Sequence, residues 1–223
     1  MIPLRDIIPS RTVPFVTIAL IVANVLVFLF ELSVGDSLDL FLAGWALIPA
    51  EFSLVTMVTS MFLHGGLMHV GGNMLFLWIF GDNVEDRMGH GRFLLFYLLC
   101  GSAAAIAQTL MQPESLIPMV GASGAIAGVM GAYFVSYPQS RVVTLIPPFF
   151  FTTFEIPAIV FLGLWFVTQF LSGVGALGAA TAGQSAGGVA FWAHVAGFAA
   201  GVAGVFLFRR PERQRVEWWD DVR

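Results

Sequence analysis

The sequence has no lysine, a single cysteine, and charge on only 11% of its 223 residues. Soluble globular domains carry about 25% charged residues, so a freely soluble protein is excluded. One cysteine, Cys100, leaves neither a disulfide framework nor a cysteine-based metal centre. Ten arginines stand against fourteen acidic residues, and none of them forms a basic cluster suited to nucleic acid. No low-complexity tract or separate soluble domain is evident. What the chain has is apolar: 58% of it is hydrophobic, with a mean hydropathy of +0.87.

An integral, all-α membrane protein follows. Runs of about 17 to 25 apolar residues are candidate spans, and six are found. They cover about Pro14–Val34, Leu67–Gly81, Phe93–Met111, Gly121–Tyr137, Ile156–Val174 and Gly188–Phe208. The second and fourth are short, as for helices that begin inside the bilayer. Residues 1–208 thus read as one six-helix domain, and 209–223 as a short polar tail whose Trp218 and Trp219 can rest at the interface. The connector Gly35–Gly66, broken by Gly44, Pro49 and Glu51, is too interrupted for a span and too apolar for water. It is expected to be partly embedded. Arg5, Asp6 and Arg11 precede the first span without a small-residue cleavage site, which reads as an uncleaved helix rather than a signal peptide.

The arginines give the orientation. With six spans, all ten fall at the termini, in the second-to-third loop or in the fourth-to-fifth loop, and the other three loops have none. The positive-inside rule then makes both termini cytoplasmic, and a prokaryotic plasma membrane is the simplest setting.

Polar groups inside a membrane are costly and call for a reason. The segment "VGASGAIAGVMGAYF", Val120 to Phe134, sets Ser123 between Gly121 and Gly124. Small-residue helix packing is one explanation. Depth supplies another. At about 1.5 Å per residue, Ser123 lies about 21 Å from Tyr137, Asn73 about 21 Å from Arg87 and His194 about 22 Å from Arg209. Three helices therefore bring Ser123, Asn73 and His194 to one level, with His69 one turn from Asn73 on the same face.

A serine hydroxyl becomes nucleophilic when a neutral imidazole takes its proton, which His194 can do. His194 is the only ionisable residue between Glu155 and Arg209. This favours a Ser–His dyad, a carboxylate from elsewhere being the alternative. Ser123 near a helix N-terminus would have free backbone N–H groups beside it. Asn73 and His69 can add donors for an oxyanion.

The stretches "HGGLMHVGGN" (His64 to Asn73), "GASG" (Gly121 to Gly124) and "AHVAGFAAG" (Ala193 to Gly201) resemble the signatures of the rhomboid intramembrane serine proteases. The likeness runs from about Pro14 to Phe208. It implies Ser123 as nucleophile, His194 as base, and an oxyanion site formed by His69, Asn73 and the Ser123 N–H. Gly197 and Gly201 would let the sixth helix lie close to the fourth. The resemblance also implies cleavage of transmembrane segments of other membrane proteins, with no metal or cofactor. Two positions depart from the family pattern. Val55 and Thr56 stand where many members have Trp-Arg, and Ala127 stands where some place an aromatic ring against the catalytic imidazole.

Other groups read as structural: His64 as a hydrogen-bonding residue at a helix entrance, His90 as ordinary surface, Glu85 as a helix-end anchor, and Phe149–Phe151 and Trp165–Phe166 as lipid-facing or packing aromatics. A metal site from His64, His69 and His194 lacks a carboxylate at ligand spacing. A non-cleaving rhomboid-like protein that binds transmembrane helices is the alternative function. A small channel or transporter is disfavoured by the few charges and the lack of an inverted repeat. The sequence leaves the oligomeric state open.

Overall fold

The computed structural model describes residues 1–146, 152–181 and 190–210, with 177–181 described by backbone alone. The expected Phe149–Phe151 aromatics, the start of the sixth span at 188–189 and the tail beyond Arg210, with Trp218 and Trp219, lie outside the described residues.

Among the described residues eight helices carry the fold: α1 (Phe15–Val34), α2 (Leu38–Trp45), α3 (Leu54–Thr59), α4 (Leu67–Met88), α5 (His90–Met111), α6 (Ser123–Ser136), α7 (Ala158–Thr181) and α8 (Phe191–Phe208). The first helical stretch, Phe15–Trp45, runs through a 3-10 turn at Gly35–Ser37 and includes both α1 and α2. With α5, Ala158–Ala176 of α7 and α8, it makes four stretches among the described residues that are long and apolar enough to cross a membrane. A fifth results if α4 and the helical Leu54–Phe62, bent from it by 89°, count as one broken span. At 14 residues, α6 extends about 21 Å, less than a hydrocarbon core of about 30 Å.

The helices are buried in an order that suits lipid. In α1 the buried residues are Thr17, Leu20, Asn24, Phe28 and Glu31, one stripe at helical spacing. Val22, Leu26 and Leu29 on its other faces are exposed. A soluble helix turns its polar residues outward, whereas this one turns three of them inward. By contrast, α6 is buried from Gly124 to Tyr133 and forms the centre around which α4, α5, α7 and α8 pack.

Glycine sets the closest approach. A Cβ at Gly197 would lie 2.1 Å from the Gly124 carbonyl oxygen, and one at Gly201 only 1.9 Å from that of Gly128. Backbone thus packs on backbone between α6 and α8, as small-residue membrane interfaces do.

The expected second span ends at Gly81, but α4 continues to Met88. Its polar last turns are sustained by bonds to the start of α1 and to the chain just before it. The buried Glu85 carboxylate accepts from Val16 N (2.9 Å), Thr17 N (2.8 Å) and Thr17 Oγ1 (2.7 Å). It therefore caps α1, whose first N–H groups have no partner in their own helix. His90 is more than plain surface, since its Nδ1 meets Glu85 and its ring lies edge-on to Phe15.

A small antiparallel sheet is the element the helix reading lacks: β1 (Ile2–Asp6), β2 (Arg141–Leu145) and β3 (Thr153–Pro157), in the order β1–β2–β3. Ile2 faces Leu145, and Arg141 faces Pro157. The β-branched run RVVTL in β2 suits a strand. The expected fifth span starts at Ile156, which lies within β3, so α7 begins two residues later. Asp6 ties the sheet to α6 by accepting from the Tyr133 hydroxyl (2.6 Å), which also bonds Ser140 Oγ (2.9 Å). Burial pushes the Asp6 carboxyl up to about 6.

The connector between α1 and α4 is helical and anchored at several points. Leu47 and Met119 pair through their backbones, and Thr59 Oγ1 donates to Trp45 O at 2.7 Å. Ser53 caps α3 by accepting from Val55 N. At the departure from the family pattern, Val55 is exposed and Thr56 Oγ1 donates to Ser53 O.

Candidate active site

The first residue of α6 is Ser123, so its backbone N–H belongs to the turn that has no intrahelical acceptor. Gly121 precedes it at φ +127°, a conformation that side chains rarely adopt. A Cβ there would also strike His69, 2.8 Å from its Cε1 and Nε2, and would lie 3.6 Å from Asn73 Nδ2. Glycine is thus required at 121 on two counts, and its absent side chain lets the loop lie directly over the two α4 residues. Gly124 faces Ala104, whose Cβ would be 2.6 Å from a Cβ at that position.

His194 lies in the first turn of α8, whose start is held by Gln108 of α5: Gln108 Oε1 accepts from Ala193 N at 3.2 Å. From there His194 Nε2 reaches Ser123 Oγ at 2.8 Å. The other ring nitrogen, Nδ1, lies 2.8 Å from Gln169 Oε1 on α7. An amide oxygen only accepts. Nδ1 therefore holds the ring proton and Nε2 is left bare toward the serine, the tautomer a general base needs. Trp165, one turn before Gln169, packs its ring 5.8 Å from the imidazole at 40°. The aromatic partner that Ala127 does not supply comes instead from α7.

His69 and Asn73 line the same cavity as Ser123, His194, Gln169 and Trp165, a space of about 700 Å³. His69 Nδ1 accepts from Gly65 N at 3.3 Å, which leaves the proton of the neutral ring on Nε2, beside Gly121. Asn73 is buried, and its Nδ2 has no hydrogen-bond partner among the described residues. An unpaired buried donor is expensive, and this one sits beside the serine loop. His64 stands next to the site: its backbone N–H donates to the buried Glu31 carboxylate (3.1 Å), and its ring lies edge-on to His69 at 5.1 Å. Among the described residues no three His, Cys, Asp or Glu side chains are grouped as metal ligands.

All four polar residues expected at one depth are thus brought together. Gln169 was not among the expected site residues, and Trp165, expected as a lipid-facing or packing aromatic, packs on the imidazole. Their signal was present, since Gln169 is a polar side chain inside an apolar span with a large aromatic one helical turn away.

The rhomboid domain family model matches residues 51–211. The chain belongs to the rhomboid family. Rhomboid protease GluP of Bacillus subtilis (strain 168) is 45% identical over 76 residues, 34% of this chain and 14% of that protein. Mitochondrial Rhomboid protein 1 of Saccharomyces cerevisiae (strain ATCC 204508 / S288c) is 29% identical over 182 residues, covering 78% and 49%. Rhomboid protease GlpG of Salmonella choleraesuis (strain SC-B67) is 26% identical over 204 residues, covering 90% and 65%. The matches span about half or less of the length of the first two relatives. The rhomboid match includes the four site helices α4, α6, α7 and α8 within 51–211.

Proposed function

We propose that this rhomboid is an intramembrane serine endopeptidase that cleaves transmembrane segments of other membrane proteins in the plasma membrane. The observation that carries the reading is the chain of contacts from Gln169 through His194 to Ser123, with Asn73 Nδ2, which has no partner among the described residues, at the same cavity. A protein that only bound helices would have no use for a base poised on a hydroxyl.

In the proposed reaction Ser123 Oγ attacks the scissile carbonyl carbon while its proton passes to His194 Nε2. Negative charge then develops on the carbonyl oxygen. Asn73 Nδ2, His69 Nε2 and the Ser123 N–H are its donors, and they are aligned before charge appears. Collapse of the tetrahedral intermediate breaks the C–N bond, and His194 returns its proton to the leaving amine. Water, deprotonated by His194, hydrolyses the acyl-enzyme and restores Ser123. Gln169 keeps the imidazole oriented and accepts from Nδ1–H throughout. The cavity is walled by α4 through Met68 and Phe76 and by α7 through Trp165, which makes the cleft between these helices the entry for a substrate helix.

Covalent labelling with a fluorophosphonate tests this. The purified protein should label at Ser123, and Ser123→Ala and His194→Ala should each abolish labelling and cleavage of a transmembrane substrate. Because the pair acts as one unit, the double variant should lose little more than either single variant. A folded wild-type protein that never labels would support the non-cleaving, helix-binding alternative.

A further inference from the structure

A second large cavity, of about 780 Å³, opens at the opposite end of the bundle from Ser123. It lies where α6 finishes, next to Tyr137, about 20 Å along that helix from the serine. Four of the seven described arginines line it: Arg11 before α1, Arg87 at the end of α4, Arg92 at the start of α5, and Arg210 after α8. Among the described residues the only acidic one in the lining is Asp86. Its carboxylate is already occupied, accepting from Arg11 N at 2.5 Å, from Thr12 N at 3.1 Å and from the Thr12 hydroxyl.

Helix dipoles explain part of this arrangement. Arg87 and Arg210 lie at helix C-termini, where a cation is favoured. Arg11 and Arg92 lie at helix N-termini, where the dipole disfavours a cation and favours an anion. The guanidinium groups of Arg11, Arg92 and Arg210 have no hydrogen bond or ion pair to another described residue. Gly89, at φ +83° between α4 and α5, leaves room for one of them, since a Cβ there would lie 2.0 Å from Arg210 Nη2. Arg11, Arg92 and Arg210 around one cavity, with the one described acidic lining residue already engaged, form a concave site for a group with several oxygen acceptors, and arginine forks match phosphate geometry.

We propose that this cavity binds an anionic phosphate group, carried either by an acidic phospholipid headgroup at the membrane boundary or by a free phosphate compound. The ring of helix ends places the site level with a headgroup layer, and basic pockets between transmembrane helices hold anionic headgroups in the same way.

The test uses the full chain purified in neutral detergent. Native mass spectrometry measures retention of short-chain phosphatidylglycerol against phosphatidylcholine. A thermal melt in inorganic phosphate, with chloride at matched ionic strength, measures the free anion. The expected result is retention of phosphatidylglycerol over phosphatidylcholine in the wild-type protein. Each guanidinium removed should weaken binding about fivefold, so Arg92→Gln with Arg210→Gln should weaken it about thirtyfold. Arg141→Gln, outside the cavity and paired with Glu155, should change nothing. A melt raised by inorganic phosphate and lost in the double variant, with the two lipids retained equally, assigns the site to free phosphate. Should the double variant not fold, Arg11→Gln alone and the wild-type lipid comparison decide. Equal retention of the two lipids together with no response to phosphate overturns the proposal. So does a folded double variant that keeps the wild-type preference.

Discussion

At the scale of single residues, the site is defined by which donors are satisfied and which are not. Asn73 Nδ2 is buried without a partner among the described residues, while Gln169 Oε1 accepts from His194, and the two should respond differently to truncation. Asn73→Ala removes a donor used once charge develops, so kcat should fall by up to about 10²–10³-fold with KM little changed. The melting temperature should hardly move, because the Nδ2 donor has no hydrogen-bond partner among the described residues. A lowered melting point with unchanged kcat would make Asn73 a packing residue. Gln169→Leu keeps the bulk but frees the imidazole to choose its tautomer and orientation. Activity should fall about 10–100-fold, as when a histidine's orienting partner is lost elsewhere, and Gln169→Glu, which still accepts from Nδ1, should restore much of it. Equal activity in Gln169→Leu and wild type would remove Gln169 from the mechanism. Ser123, His194, Asn73 and His69 were legible in the sequence because depth along a helix is simple arithmetic. Gln169 carries the same signal as Asn73, an amide inside an apolar span, but its role was not legible because no single span reveals which face of α7 meets α8.

At the scale of elements, the catalytic distance depends on how closely two helices approach. Ser123 and His194 head α6 and α8, and the 2.8 Å between them rests on glycines further along both helices. A Cβ at Gly201 would meet the Gly128 oxygen, carbon and Cα at 1.9, 2.6 and 2.7 Å, all backbone atoms that cannot rotate away. Gly201→Ala should therefore separate the helices, lowering both melting temperature and activity. Gly71→Ala in α4 meets nothing within 4 Å. It should be neutral or stabilise by up to about 1 kcal/mol through helix propensity. If both variants behaved alike, close approach would not be what positions the dyad. The sequence pattern marked the small residues but not the ends of elements. Helix α4 runs past its apolar stretch because Glu85 and Asp86 find partners in the residues before and at the start of α1, a long-range pairing without local periodicity. The strand β1 depends likewise on β2, some 140 residues away in the chain. Five-residue strands beside membrane helices show too little alternation to be read alone.

At the scale of the whole molecule, charge and chemistry occupy opposite ends. The described arginines are at Arg5, Arg11, Arg87, Arg92, Arg141, Arg209 and Arg210. All belong to segments at the end where α4, α6 and α8 finish. Ser123 and the connector with Asp36, Asp39 and Glu51 belong to the other end, to which Gly121 is joined by its N–H bond to Ser60 O. By the positive-inside rule the arginine end is expected to be cytoplasmic, with the serine toward the outer surface. Paired cysteine substitutions check this in intact cells. Glu114 and Gly91 are both exposed and stand at opposite ends of α5, so each reports one side. The native Cys100 is buried at 3% exposure and should remain silent. A cysteine at Glu114 should react with an impermeant maleimide from outside. One at Gly91 should react only after the membrane is opened. The opposite pattern would turn the molecule over, placing the serine on the cytoplasmic side and the arginine cavity in the outer leaflet.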